Sequence, residues 1–117
     1  LRGKTLTLCQ TRQGNVVVVS LQGSLDHNGA AIMERACLQP IAAGDSRLLL
    51  DLAGVDYISS SGLRSLLVVA KAVKAAQGRL ALCRLSPASR EVMALSGFQS
   101  IIQCWEDPAA AWEDLAR

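Results

Sequence analysis

The sequence predicts an α/β domain: a mixed, largely parallel sheet of about five strands with four helices, led by an antiparallel hairpin. Three observations predict it. Short β-branched or leucine-rich runs alternate along the chain with amphipathic stretches of helical period. The run RLLLDL at 47–52 has the unbroken apolar character of a central strand covered on both faces. Two strand-like runs precede the first helical stretch, as in a hairpin. Strand–helix–strand units of this kind cross over right-handedly onto parallel neighbours.

Taken in order, residues 5–9 (TLTLC) alternate polar and apolar, the pattern of a strand with one wet face, and residues 15–23 (NVVVVSLQG) form a β-branched run suited to a more buried strand. TRQGN at 11–15 reads as their connection. Asp26 or Asn28 then caps a helix whose Ala30, Met33, Ala36, Cys37 and Ile41 recur at three and four, with Pro40 ending or bending it. Gly44 and Asp45 mark a turn before the central strand. From 60 to 77, positions 63, 66, 67, 70 and 73 form one apolar stripe opposite Arg64, Lys71 and Lys74, and Gly78 supplies a stop. RLALCRL at 79–85 is a short strand. Ser86, Pro87 and Gly97 frame the next helix. QSIIQCW at 99–105 is the last strand, and Asp107 with Pro108 opens a final helix through Trp112 and Leu115.

A chain of 117 residues, half of them apolar, is enough for one core, so residues 1–117 read as one domain. Twelve basic and ten acidic residues are interspersed, so no long-range field points to nucleic acid or a membrane surface. Cys9, Cys37, Cys83 and Cys104 lie far apart, with no CxxC pair and a single histidine, a spacing that fits neither a zinc site nor a redox dithiol; reduced, buried thiols are expected. Residues 1–10 lack a signal peptide's apolar core, and no run reaches the roughly 18 apolar residues of a membrane span. The expectation is a soluble cytoplasmic protein without metal or cofactor.

The stretch YISSSGL at 57–63 carries the functional question. It joins the carboxyl end of the central strand to the longest helix, where open sheets place their sites, and the unpaired N–H groups of a helix start favour negative charge. One hydroxyl suffices for a cap, so three in a row read either as capping with spares or as a place where charge is added. A serine hydrolase would need a G-x-S-x-G elbow and a histidine base; neither glycine spacing nor His27, the only histidine, meets this. His27 reads as a solvated loop residue, and Asp51 and Asp56, a carboxylate pair of the kind that can hold magnesium, read as solvated turn residues. GKT at 3–5 lacks the rest of a phosphate-binding loop.

Three stretches resemble the STAS domains, and among them the bacterial anti-sigma-factor antagonists: LQGSLDHNGA at 21–30, LLLDLAGVDYISSSGLRSLL at 48–67, and GRLALCRLSPASREVMALSGF at 78–98. The resemblance implies a STAS-like single domain that catalyses nothing. It implies phosphorylation of Ser61, the serine before the glycine–leucine pair, by an anti-sigma factor that is itself a serine kinase. The unphosphorylated domain would bind that kinase and free a sigma factor, and a metal-dependent serine phosphatase would restore it. The implied partner face comprises Asp26, Ser59, Ser60, Ser61, Gly62, Leu63 and Arg64. Such antagonists commonly carry an aspartate where this chain has Ser59, which keeps open a second reading, a constitutive adaptor in a transport or sensory assembly.

Overall fold

The computed structural model describes residues 4–117; Gly3 of the GKT triplet lies outside them. The elements run β1 (Thr7–Gln13), β2 (Val16–Leu25), α1 (His27–Ala42), β3 (Arg47–Ile58), α2 (Ser60–Ala75), β4 (Arg79–Cys83), α3 (Pro87–Ser96), a 3₁₀ turn (Phe98–Ser100), β5 (Gln103–Trp105) and α4 (Pro108–Ala116). They form the expected α/β domain. The five strands lie in sequence order, with β1 antiparallel to β2 and every other pair parallel.

Side-chain alternation along the inner strands divides the interior into two layers. Val17, Val19, Leu21, Leu48, Leu50 and Leu82 face Met33, Cys37, Leu66, Val69, Val73 and Met93, so α1, α2 and α3 share one face of the sheet. Val16, Leu49, Ala81 and Cys83 face Ala111 and Leu115 of α4 on the other. The single terminal helix leaves much of that second face open.

Several local expectations shift. The hairpin is tighter than TRQGN implied: pairing continues to Gln13–Val16, leaving Gly14 and Asn15 as the turn, with Gly14 at φ +63°. β1 does not have one clearly buried face; only Leu8 is half-buried within it, because this edge strand lies beyond most of the helical layer. Pro40 does not end α1, which runs two residues further. The helix expected to reach residue 77 stops at Ala75, and the left-handed residue after it is Gln77 (φ +58°), not Gly78. Gly78 serves close approach instead: a Cβ there would lie 2.0 Å from the Ser46 carbonyl oxygen. The final strand keeps only Gln103–Trp105, since residues 98–102 form the 3₁₀ turn and its exit. Asp51 and Asp56 lie inside the twelve-residue β3, not in a turn. His27 is exposed but opens α1. Cys37 and Cys83 are buried as expected, whereas Cys9 is exposed and Cys104 half-buried.

Candidate functional site at two paired helix starts

The parallel register sets Leu25 of β2 beside Ile58 of β3, so the two strands end together and each releases a helix from the same edge of the sheet. Asp26 and Ser59 are therefore neighbouring N-caps. The Asp26 carboxylate accepts from the Gly29 N–H at 2.8 Å. The Ser59 hydroxyl accepts from the Gly62 N–H at 3.1 Å and donates to the Leu25 carbonyl at 2.7 Å. The Ser59 N–H also donates to that carbonyl, at 2.9 Å. Ser59 thus caps α2 and ties it to the end of β2 at once.

Two glycines set the closeness of this arrangement. A Cβ on Gly62 would stand 2.8 Å from the Leu25 carbonyl oxygen and 3.1 Å from Ile58 Cγ2; one on Gly29 would stand 2.3 Å from the Ser24 carbonyl oxygen. Only glycine lets both first turns approach the strand ends this tightly. Further along, the Ser65 hydroxyl donates to Glu34 Oε1 at 3.0 Å, linking α2 to α1. The buried Ser24 hydroxyl donates to Asp56 Oδ1 at 3.4 Å.

The residues named from sequence are gathered at this edge, in distinct situations. Ser60 is exposed and Ser61 half-buried in the first turn of α2, and neither hydroxyl makes a hydrogen bond among the described residues. Gly62 is buried. Leu63 is half-buried against the main core, as its stripe position indicated. Arg64 is exposed and has no ion pair among the described residues. Sequence reasoning gave no role at the site to Leu25, whose carbonyl receives both Ser59 bonds, nor to Gly29. A glycine inside a helical pattern is the signal that could have found the latter.

On the open side of the sheet, the Asp51 carboxylate receives the Arg84 guanidinium on both oxygens and the Ala53 N–H at 3.1 Å. Burial pushes this carboxyl up, but the Arg84 hydrogen bond, the Ala53 N–H and the Arg84 charge outweigh it and hold it below the ordinary range. Burial, followed by the charge of Asp51, pushes the neighbouring Cys83 thiol up to about 12. Arg84 reaches the carboxylate from a left-handed backbone, φ +57°. This is a structural ion pair joining β3 to the end of β4. Among the described residues, no group of three His, Cys, Asp or Glu is placed to hold a metal ion, and no helix is long and apolar enough to cross a membrane.

A mixed five-stranded sheet with two capped helix starts side by side at the carboxyl ends of its inner strands describes the class. The STAS domain family model matches residues 10–111, and the chain belongs to that family. It is 40% identical over 96 residues to the Bordetella bronchiseptica protein named "Putative anti-sigma factor antagonist BtrV", covering 82% of this chain and 83% of that one. In three dimensions it is similar to an anti-sigma factor antagonist from Mycobacterium paratuberculosis, with a TM-score of 0.87, 23% identity and coverage of 97% and 96%. It is also similar to the Bacillus cell fate determinant SpoIIAA in its phosphorylated form, with a TM-score of 0.73, 22% identity and coverage of 92% and 98%.

Proposed function

We propose that this chain is an anti-sigma-factor antagonist that binds an anti-sigma serine kinase when unphosphorylated and is released when Ser61 is phosphorylated. The observation that carries the reading is the division of labour among the serines. Ser59 is committed to capping, whereas the Ser61 hydroxyl sits unbonded in the first turn of α2, beside the start of α1. The Bordetella relative's name and the phosphorylated Bacillus structure support the same reading.

The kinase transfers the γ-phosphoryl group of ATP to Ser61 Oγ; the hydroxyl loses its proton and ADP leaves. A metal-dependent serine phosphatase hydrolyses the ester with water, returning serine and inorganic phosphate. The domain supplies only the hydroxyl. A phosphate adds about −1.5 to −2 charges to a surface that must lose water to dock. A coupling of about 3 kcal/mol weakens association roughly a hundredfold, within the usual span for linked sites. Negative charge at a helix start is itself favourable, so the modification alters docking more than folding. Asp26, Ser59, Ser60, Gly62, Leu63 and Arg64 complete the proposed contact face, with Asp26, Ser59 and Gly62 shaping it and Ser60 and Arg64 exposed on it.

The test is incubation with the partner kinase and ATP, followed by mass-spectrometric mapping. Phosphate on Ser61, with none taken up by Ser61→Ala, is the expected result. Equal uptake by Ser61→Ala would assign the switch to another residue.

A further inference from the structure

The second half of α2 borders a groove that the molecule leaves unfilled. α2 packs on α1, β3 and β4, while α3 packs on β3 and the 3₁₀ turn. Between α2 and residues 100–102 lies a groove of about 570 Å³, walled by Leu67 and Ala70 on one side and Ile101 on the other, with Leu80 of β4 in its lining. That volume is in the range of built binding clefts, roughly 300–1,000 Å³. Ile101 is 60% exposed, a β-branched apolar side chain held in water.

The charged side chains in the lining are Lys71 and Lys74, both exposed and without an ion pair among the described residues. α2 carries Arg64, Lys71 and Lys74 and no acidic residue, so this wall of the groove is uniformly positive. The backbone decides the form of the ligand. β4 is paired on both edges, with β3 and β5, so no strand can be added there. Recognition must run through side chains along Leu67, Lys71 and Lys74, a span of two helical turns or roughly 10 Å. A helix laid alongside meets that spacing with apolar residues at i, i+3 or i+4, and i+7.

We infer that this groove docks an amphipathic helix of a partner protein, its apolar stripe seated between Leu67 and Ile101 and its acidic flank against Lys71 and Lys74. At 1.5 Å per residue Leu67 lies roughly 9 Å along α2 from Ser61, while the charged contacts, Lys71 and Lys74, lie roughly 15–20 Å away, beyond the roughly 8–10 Å over which charge is felt at physiological salt. Occupancy is therefore independent of the Ser61 switch, and the surface holds a second protein whether or not Ser61 is modified.

The experiment titrates isotope-labelled protein with a synthetic helix-forming peptide of about 18 residues, leucine at the i, i+3, i+4, i+7 positions and glutamate on both flanks, beside a counterpart with lysine for glutamate. Saturable amide shifts for the acidic peptide at residues 67–74 and 101 are expected, with tenfold or weaker binding of the lysine peptide. Ile101→Asp, at an exposed position, is expected to weaken the acidic peptide at least tenfold. Lys71→Glu with Lys74→Glu reverses the charge preference, and Ser61→Asp leaves affinity within twofold. Shifts mapping elsewhere, equal binding of the two peptides, or binding to phosphatidylserine vesicles that the acidic peptide does not displace would overturn the inference.

Discussion

Removing the Ser59 hydroxyl separates the structural serine from the proposed switch serine. Ser59→Ala deletes the acceptor of the Gly62 N–H and the donor to the Leu25 carbonyl, but the Ser59 N–H still bonds that carbonyl, so no buried carbonyl is orphaned. A lost N-cap costs about 1 kcal/mol, and the second bond to an acceptor that keeps a partner adds up to about 1 more, giving about 1–2 kcal/mol. An unfolding entropy near 2.1 cal/mol/K per residue makes each kcal/mol worth about 4 °C in a chain of this size, so Tm falls by about 4–8 °C. Ser61→Ala deletes a hydroxyl without a partner and shifts Tm by less than about 2 °C, within the ±0.5 kcal/mol of ordinary surface changes. Ser59→Asp keeps a cap acceptor, loses the donor to Leu25, and falls between the two. Calorimetric melts of the three variants decide it. Equal losses from Ser59→Ala and Ser61→Ala would refute the division of labour.

Three further outcomes follow from the same geometry. Gly62→Ala forces a Cβ to within 2.8 Å of the Leu25 carbonyl oxygen; it should destabilise by about 1–3 kcal/mol in urea unfolding, and a neutral result would contradict the close approach. Arg84→Ala should cost about 1–2 kcal/mol at pH 7, discounted because Arg84 is 48% exposed. Because Asp51 titrates lower when folded than its ordinary 3.8, the pair's contribution is complete above that value and is lost as the pH falls through the folded value. The gap between wild type and Arg84→Ala in urea should thus narrow below pH 3.8, and a gap unchanged by acid would contradict the assignment. Burial holds the Cys37 and Cys83 thiols near a pKa of about 12; at pH 8 Ellman's reagent should label the exposed Cys9 first and these two only on unfolding, with rapid labelling of all four as the contrary result.

What the sequence made legible was local. Ser86, Pro87 and Gly97 framed α3 at the positions where the structure caps it, and the leucine run of β3 marked the sheet's centre. The edge position of β1 was not legible, because Thr5 to Cys9 alternates like a half-covered strand while coverage depends on how far the helical layer extends. Asp51 was misread for the same reason. Its partner lies 33 residues away, on a left-handed residue that local pattern does not flag. At the candidate site, the serine run marked the strand-to-helix turn but not which serine caps it. Which hydroxyl caps α2 is fixed by the Leu25 carbonyl, 34 residues upstream, and by the register that sets Leu25 beside Ile58.

The most direct test of the switch is the affinity of the partner kinase for this domain before and after stoichiometric phosphorylation of Ser61, measured by titration calorimetry at fixed salt. Weakening of roughly a hundredfold, about 3 kcal/mol, with Tm displaced by no more than about 2 °C, is the predicted result. Equal affinities for the two forms, or a loss of binding that tracks an unfolded domain, would contradict it.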